Sequence, residues 1–222
     1  MLLKKGSRGN EVKVLQSALH LFPDGIFGKL TEEAVREFQK ANGLKVDGIV
    51  GDKTWEKIAG SGIVKSKRKI TEIIVHCTAT PEGQDSTIAQ IRLLHRARGF
   101  SDIGYHYVIY RDGSRHVGRN VNIAGAHCLN HNSHSIGVSY VGGLENKPGV
   151  PYAKLKAKDT RTAAQKDALI QLLKELKRLY PTAKIIGHRD TSPDKNGDGL
   201  IEPSEWIKAC PSFDAKEEYK GL

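Results

Sequence analysis

The sequence contains little cysteine and no long apolar run. Three cysteines in 222 residues are an odd number, which does not suit the paired disulfide framework of small secreted domains. No stretch approaches the roughly 20 apolar residues that a membrane-spanning helix requires, so we expect no membrane insertion. The amino-terminal residues lack the apolar segment and cleavage site of a secretory signal peptide. We therefore expect synthesis in the cytoplasm, with a separate route of release for any action outside the cell.

Aromatic residues are sparse, at 6% of the chain, whereas basic residues are abundant. Lysine and arginine number 35 against 25 aspartates and glutamates, which gives a net charge of +10. Such a charge suits an anionic partner such as nucleic acid, a membrane surface or a cell wall, although it can also serve solubility alone. No basic helix with interleaved aromatics is present, so we expect no nucleic-acid partner.

A short repeat marks residues 1–60. Asp-Gly-Ile, an apolar residue and Gly occur from Asp24 and again from Asp47, and each copy is followed by a threonine and a helical pattern. The Asp-Gly pairs suit tight turns, and Thr31 and Thr54 occupy positions expected for helix N-caps. Apolar residues at helical spacing also precede the first copy. The segment therefore predicts a small bundle of three short helices.

A mixed α/β pattern follows this segment. The stretch "GSGIVKSKRK", which begins at position 60, combines glycine and serine with a basic run and predicts a basic linker over residues 61–69. Residues 70–222 contain apolar β-rich runs in "ITEIIVHC", "SIGVSYVGG" and "AKIIGH", a hairpin pattern around an Asp-Gly turn, and a leucine-striped helix. Thr162 and Gln165 form the capping-box pattern at the start of that helix. We predict an α/β domain with a central mixed β-sheet flanked by helices.

Two histidines and one cysteine are candidate zinc ligands. His76 and His188 end predicted strands, and histidines at strand ends can converge on one rim of a mixed sheet. With the thiolate of Cys210 they would fill three positions of a tetrahedral zinc ion and leave the fourth open, as in catalytic sites. Spacing alone does not select these three residues from 9 histidines and 3 cysteines.

Seven ordered motifs in residues 70–219 resemble those of the zinc-dependent N-acetylmuramoyl-L-alanine amidases, which include phage amidase-type lysozymes and peptidoglycan recognition proteins. The motifs are "VHCTAT", "GYHYVIYRDG", "VGR", "GAH", "NSHSIGVSYVGG", "GHRD" and "KACPSFD". The resemblance implies one catalytic Zn²⁺ with ligands at His76, His188 and Cys210. It also implies an active-site tyrosine at Tyr105 and an active-site lysine at Lys208.

The resemblance further implies how the site acts. Zinc would activate a water molecule and polarise the scissile carbonyl, and Lys208 would stabilise the oxyanion. Tyr105 would hydrogen-bond the water or pass a proton to the leaving amine. The sequence leaves open how these roles divide between Lys208 and Tyr105. Arg119, His127 and Asn132 are implied substrate contacts, and each has a structural role in a loop as its alternative.

The amino-terminal segment also resembles a known module. Residues 3–58 carry "GSRGNEVKVLQ", the two Asp-Gly-Ile turns, "AVREFQKANGL" and a final Thr-Trp pair. These motifs resemble the peptidoglycan-binding domain of cell-wall hydrolases. Together the two resemblances imply a monomeric phage or prophage endolysin that cleaves between N-acetylmuramic acid and L-alanine and acts on the wall after release by a holin or by lysis. A non-catalytic peptidoglycan recognition protein and a cytoplasmic muropeptide-recycling amidase are the alternatives.

The acidic stretch between the second histidine and the last cysteine matches the twelve-residue calcium loop D-x-[DN]-x-[DN]-G-x5-E. Its candidate oxygen donors are Asp194, Asn196, Asp198, the Leu200 carbonyl and Glu205. We predict one structural Ca²⁺ here, with an exiting helix that begins near Pro203. A solvated turn is the alternative.

Other cysteines and histidines receive structural predictions. Strand alternation should turn Cys77 away from the zinc ligands into the core. Cys128, His131 and His134 raise the question of another metal site, and a polar substrate loop is the favoured interpretation. His95, His106 and His116 are predicted to be structural. No role is predicted for His20.

Overall fold

The computed structural model describes residues 2–19, 21–60, 63 and 65–222, without the side chains at positions 10, 17, 52, 56, 59 and 60. His20 and predicted linker residues 61, 62 and 64 lie outside the described residues. The chain divides into two compact units, Met1–Val64 and Lys65–Leu222.

Three short helices form the first unit, as the sequence predicts. They are α1 (Asn10–Ala18), α2 (Lys29–Ala41) and α3 (Asp52–Gly60). Apolar side chains at helical spacing meet in one small core, because each helix alone exposes an apolar stripe. The buried residues of this core are Leu3, Val12, Leu15, Phe27, Val35, Val50 and Ile58.

A buried glutamine organises the first repeat. The side-chain amide of Gln16 donates to Asp24 Oδ1 at 2.7 Å, to the Ile26 carbonyl at 3.0 Å and to Thr31 Oγ1 at 3.1 Å. Its Oε1 accepts from the backbone N–H of Gly25 at 2.9 Å. A buried amide with all these groups satisfied holds the turn in one conformation.

The second repeat contains the same network 23 residues further on. Gln39 donates to Asp47 Oδ1 at 3.0 Å, to the Ile49 carbonyl at 2.9 Å and to Thr54 Oγ1 at 3.3 Å. Its Oε1 accepts from Gly48 N–H at 2.9 Å. Gly48 has φ +71°, a left-handed conformation that glycine adopts without a steric penalty.

The predicted N-cap roles of Thr31 and Thr54 are wrong. Helix α2 begins at Lys29 after an extended Gly28, so Thr31 lies inside its first turn, and Thr54 is the third residue of α3. Both hydroxyls donate at 3.4 Å to the isoleucine carbonyl of their own turn. The threonine hydroxyls therefore take part in the glutamine networks and do not cap the helices.

The second unit is built on a five-stranded mixed sheet with strand order β4-β3-β5-β1-β7, which confirms the predicted fold class. β1 pairs in parallel with β5 and β7, β3 pairs in parallel with β5, and β3 and β4 form the predicted antiparallel hairpin. A small parallel pair, β2 with β6, lies apart. The strands are β1 (Glu72–Cys77), β2 (Thr80–Pro81), β3 (Tyr107–Ile109), β4 (Arg115–Val117), β5 (Ser135–Tyr140), β6 (Gly143–Leu144) and β7 (Lys184–Gly187).

Helices α4 (Ile88–Ala97), α5 (Ala163–Leu179) and α6 (Ala215–Glu218) complete this unit. Thr162 and Gln165 form the predicted capping box of α5. Four leucines of the predicted stripe are fully buried, and each contributes about 2 kcal/mol through burial; they are Leu169, Leu172, Leu173 and Leu176. Gln165 also donates to the carbonyls of strand β3 and of the residue after β5, which ties α5 to the sheet.

The last part of the predicted linker lies within the second unit. Ser66 is buried, its N–H donates to the Tyr180 hydroxyl, and its own hydroxyl donates to the Val121 carbonyl at 2.7 Å. Arg68 donates to the carbonyls of Val121 at 2.8 Å and Ser135 at 3.1 Å. Residues 66 and 68 are therefore fixed by the second unit, and the domain bounds at 60 and 70 stay a prediction.

Candidate metal centre and active site

Strand register brings the two predicted histidine ligands together. β1 and β7 run in parallel with Val75 opposite Gly187. His76 follows Val75 near the end of β1, and His188 follows Gly187 directly after β7. Both histidines therefore lie at the carboxyl ends of neighbouring parallel strands, and their ring centroids are 4.7 Å apart.

The third predicted ligand closes this pair into a metal-binding group. Ligand atoms of His76, His188 and Cys210 all lie within 4.8 Å of one another. His76 Nδ1 and Cys210 Sγ are 3.7 Å apart. Typical zinc bond lengths place a nitrogen and a sulfur ligand about 3.6 Å apart in a tetrahedron. The donor set and its spacing therefore fit a zinc ion with one open position.

Backbone contacts hold Cys210 beside the sheet. Its carbonyl accepts from the Arg189 N–H at 2.7 Å, and its sulfur accepts from the Cys77 N–H at 3.3 Å. The next residue, Pro211, offers its carbonyl to the Tyr140 hydroxyl at 2.7 Å. These contacts attach the cysteine segment to strands β1 and β5 and to the turn after β7, where the histidines lie.

His127 contacts the metal-site histidine instead of an open surface. Its Nδ1 lies 3.0 Å from His76 Nε2, and its Nε2 lies 3.4 Å from Ser135 Oγ. A Cβ added at Gly125 would lie 2.3 Å from the His127 ring, and one at Gly137 would lie 2.5 Å away. The two glycines therefore make the space that the buried ring occupies. Sequence reasoning missed this role, although "GAH" and "SIGV" contain the two glycines that signal it.

The other two predicted substrate residues also have protein partners. Arg119 is buried and donates to the carbonyls of Ile103 at 2.7 Å, Ala124 at 3.0 Å and Asp102 at 3.2 Å. Asn132 Oδ1 accepts from the N–H groups at positions 127 and 128, at 2.9 and 3.0 Å. These contacts give Arg119 and Asn132 structural roles in the loops, and their contact with substrate stays a prediction.

Tyr105 lies beside the metal-binding group. Its ring centroid is 5.3 Å from that of His76, and its hydroxyl is 3.5 Å from the Cys77 carbonyl. Burial raises the pKa of the Tyr105 hydroxyl, and the neighbouring thiols of Cys210 and Cys77 raise it further. The hydroxyl therefore keeps its proton at neutral pH and can donate a hydrogen bond.

Lys208 is exposed, and its positive charge affects the pKa of both candidate histidine ligands. Burial and, to a smaller extent, the positive charge of Lys208 lower the pKa of His188 to about 4. Burial likewise holds the pKa of His76 well below its usual range, with smaller effects from neighbouring histidines and Lys208. Both imidazoles are therefore neutral at pH 7, which is the form that binds metal ions.

Cys77 is buried, as predicted, although it is also in contact with the ligand segment. Its sulfur lies 3.7 Å from Ser212 Oγ, and a Cβ added at Gly143 would lie 2.4 Å from that sulfur. Burial raises the pKa of the Cys210 thiol, and the adjacent Cys77 raises it further. Metal binding would have to displace the Cys210 proton.

The predicted calcium loop is closed by its own backbone. Asp194 accepts from Gly197 N–H at 2.6 Å and from Gly199 N–H at 2.8 Å. Asn196 and Asp198 each accept from the N–H two residues further on. Leu200 is exposed. Among the described residues, the loop is not one of the groups whose histidine, cysteine or carboxylate ligands converge, so calcium stays a prediction.

The helix predicted to follow this loop is wrong. Glu205 is buried and uses its carboxylate to accept from the N–H groups of Lys195 at 2.6 Å, Asn196 at 3.3 Å and Glu202 at 3.0 Å. Residues 203–205 form a turn, and the N–H of Ile207 donates to a serine hydroxyl. The segment therefore bonds back to the loop and does not form successive helical hydrogen bonds.

Comparison with known proteins agrees with the fold and shows which families the two units match. Residues 66–199 match the family described as N-acetylmuramoyl-L-alanine amidase, and residues 8–58 match a peptidoglycan-binding domain family. The endolysin of Klebsiella phage KP32 is 39% identical over 150 residues, which cover 68% of this chain and 85% of that one. The endolysin of Enterobacteria phage K11 is 36% identical over 154 residues, covering 69% and 88%.

The chain belongs to the N-acetylmuramoyl-L-alanine amidase family. It is an amidase of the endolysin type that hydrolyses peptidoglycan, which confirms the function predicted from the motifs. Drosophila PGRP-LB shares the fold at 22% identity and a TM-score of 0.50, with 72% of this chain and 84% of that chain covered. Within the described part of the chain, no helix is both long enough and apolar enough to cross a membrane.

Proposed function

We propose that this amidase cleaves the bond between N-acetylmuramic acid and L-alanine with one zinc ion held by His76, His188 and Cys210. The observation that carries the proposal is the convergence of these three ligands, with the 3.7 Å separation of His76 Nδ1 and Cys210 Sγ. When bound, zinc supplies a Lewis acid and an activated water at neutral pH. Lys208 and Cys210 lie beyond the residues matched to the family; the geometry supports the assignment of Cys210, and the "KACPSFD" motif supports that of Lys208.

The protein groups around the metal have separable tasks. The protonated Tyr105 hydroxyl donates a hydrogen bond to the reacting oxygen or passes a proton to the leaving amine. The ammonium of Lys208 lies on the exposed side and stabilises negative charge on the carbonyl oxygen. His127 holds the His76 ring through Nε2, which leaves Nδ1 for the metal.

The first unit is proposed to hold the enzyme on peptidoglycan, and the +10 charge of the whole chain favours anionic wall polymers. The site of action is proposed to be the cell wall after release from the cell that makes the protein. The phage endolysins to which the chain is similar support this assignment.

The proposal is tested with purified sacculi and metal-free protein. Activity should be absent after chelation and return on addition of Zn²⁺, and the new amino terminus in the product should be alanine. Cys210→Ser should lose most zinc affinity and activity while it keeps the circular dichroism spectrum of the parent. Full activity in demonstrably zinc-free protein, or new reducing sugar ends without a new alanine amino terminus, would contradict the proposal.

A further inference from the structure

A second group of metal-type ligands lies at the opposite end of strand β1. Glu72 Oε2 is 2.7 Å from His131 Nδ1 and 3.4 Å from His134 Nε2. One ligand atom from each of the three residues lies within 4.8 Å of the other two. Two imidazole nitrogens therefore point at one carboxylate oxygen.

The backbone that carries these ligands is fixed before any ion binds. Glu72 begins β1, and Ser135 lies opposite it on β5. The carbonyl of His134 accepts from the N–H groups of Thr71 at 2.9 Å and Glu72 at 3.3 Å. The Ser135 hydroxyl donates to the His131 carbonyl at 2.7 Å. The strand register and these contacts thus hold all three ligands in place.

The ligand spacing is close to that of a metal site. Nitrogen and oxygen ligands of a tetrahedral zinc ion lie about 3.4 Å apart, which equals the Glu72–His134 distance of 3.4 Å. The shorter contact to His131 would open by well under 1 Å, and rotation of an imidazole ring supplies such a change. The three side chains are partly exposed, with 18 to 37% of their surface accessible, so an ion can reach them from solvent.

An ion pair is the competing interpretation, because a carboxylate also accepts hydrogen bonds from two imidazoles. The environment of His134 also suits a metal ligand. Its other ring nitrogen, Nδ1, lies 3.2 Å from Ser133 Oγ, and metal-bound histidines characteristically use their second nitrogen in this way. Imidazole and carboxylate ligands together suit zinc and similar divalent transition ions.

We propose that Glu72, His131 and His134 bind a second divalent transition-metal ion of the zinc class. This site is separate from the catalytic one, because the four residue steps along β1 from Glu72 to His76 span roughly 13 Å. The bound ion would join the start of β1 to the loop that ends at β5. Because that loop also carries His127, the ion would steady the residue that contacts His76.

Metal stoichiometry tests the proposal with the full-length chain. Chelator-stripped protein is dialysed against buffered free Zn²⁺, and bound zinc is measured by mass spectrometry. We expect two ions in the parent, two in the control His116→Gln, and one in each of Glu72→Gln and His134→Gln. Cys210→Ser should also bind one ion, which identifies the two sites independently.

The thermal melt gives a second measurement that guards against misfolded variants. In chelator, Glu72→Gln and His134→Gln should melt with the parent, whereas in Zn²⁺ each should gain less in Tm than the parent does. The proposal is overturned if parent, Glu72→Gln and His134→Gln bind equal zinc at every free concentration. If the parent binds only one ion and Cys210→Ser loses it, the catalytic zinc assignment stands and the proposed second site is wrong.

Discussion

His76 is held through both of its ring nitrogens. Nε2 faces His127 at 3.0 Å, and Nδ1 faces the Cys210 sulfur at 3.7 Å. Because a ring fixed on one side offers only the other side to a metal, the pair determines which nitrogen becomes a ligand. The space for His127 depends in turn on Gly125 and Gly137.

Removal of the His127 ring should weaken zinc binding. His127→Ala leaves His76 free to rotate, so we expect a loss of about 10- to 100-fold in zinc affinity. Competition with a chromogenic chelator at constant pH measures the change. His116→Ala removes a histidine that stacks on Tyr110 instead and should keep the parent affinity. Equal affinities in all three proteins would show that His127 does not support the metal ligand.

Tyr105 and Lys208 should affect turnover without affecting metal content. Lys208→Ala removes a charge placed for the oxyanion, and we expect turnover to fall about 10²- to 10³-fold. Tyr105→Phe removes a proton donor, with an expected loss of about 10²- to 10⁴-fold. Both variants should bind zinc like the parent in the dialysis assay. If turnover on a soluble muropeptide is unchanged in both, the roles assigned to these residues are wrong.

Sequence alone could point to the zinc ligands only through their motifs. His76 and His188 meet because Val75 lies opposite Gly187, and strand register is not readable from either motif separately. His127 is predicted to contact substrate because its motif lies where the resembling family contacts substrate. Its contact with His76 depends on how the loop before β5, which carries His127, packs against the end of β1, and no local pattern reports this packing.

Among the secondary-structure elements, Arg161 connects the carboxyl-terminal segments of the second unit. Its side chain is 1% exposed, and its guanidinium pairs at 2.8 Å with both Asp159 and Glu218. It also lies 3.2 Å from the centroid of the Phe213 ring. Helix α6 and the segment that follows Cys210 are thus attached to the residues just before α5.

Loss of Arg161 should destabilise the second unit in a pH-dependent way. Arg161→Gln leaves two carboxylates without their partner, and we expect about 3 kcal/mol less free energy of unfolding at pH 7. Arg161 hydrogen bonds lower the pKa of Glu218, and in Asp159 they outweigh the opposing effect of burial. Because both pKa values are lowered in the folded state, the stabilisation is present above their ordinary values of 4.5 and 3.8 and is lost below them.

Chemical denaturation at pH 7 and at about pH 3 checks this expectation. The difference between parent and Arg161→Gln should shrink at the lower pH. Arg115→Gln is the matched control, because Arg115 makes one partly exposed ion pair with Glu175, which is worth no more than about 1 kcal/mol. A similar small effect for both variants would contradict the anchoring role of Arg161.

The acidic loop is the element where a cation can still be tested directly. If it binds calcium, the parent should gain Tm and zinc affinity on titration with Ca²⁺, whereas Glu205→Gln should not respond. Melts in chelator provide the baseline, because Glu205 also accepts three backbone N–H groups and its loss should lower Tm without any ion. No response of the parent, with no calcium uptake in calorimetry, would leave the loop as a closed turn.

Helices and strands were predictable where the apolar periodicity and the capping or turn residues indicate the same element. The leucine stripe with Thr162 and Gln165 predicted α5, and the Asp-Gly turn predicted the β3–β4 hairpin. The helix near Pro203 was not predictable in this way. Its template was a calcium loop, whereas Glu205 here bonds back to Lys195 and Asn196, so local side-chain contacts replace the helical turn.

At the scale of the whole molecule, the two units should have separable tasks. A chain that starts at Lys65 should cleave soluble muropeptides at the parent rate and pellet less with sacculi. Its rate on insoluble wall should fall accordingly, and added salt should weaken the binding of the full chain. Co-sedimentation and turbidity assays measure both quantities. Equal pelleting by the two chains would remove the proposed role of the first unit.

The paired glutamine networks suggest how the first unit came to have its sequence. Residues 16–31 and 39–54 are identical at eight of sixteen aligned positions, which are Gln, Ala, Leu, Asp, Gly, Ile, Gly and Thr. Five of the eight are the residues joined by hydrogen bonds in each network. A tandem duplication of one short ancestral unit accounts for this pattern. A substitution of either glutamine would leave several hydrogen-bonding groups without their partner at once. The two copies therefore diverged at other positions.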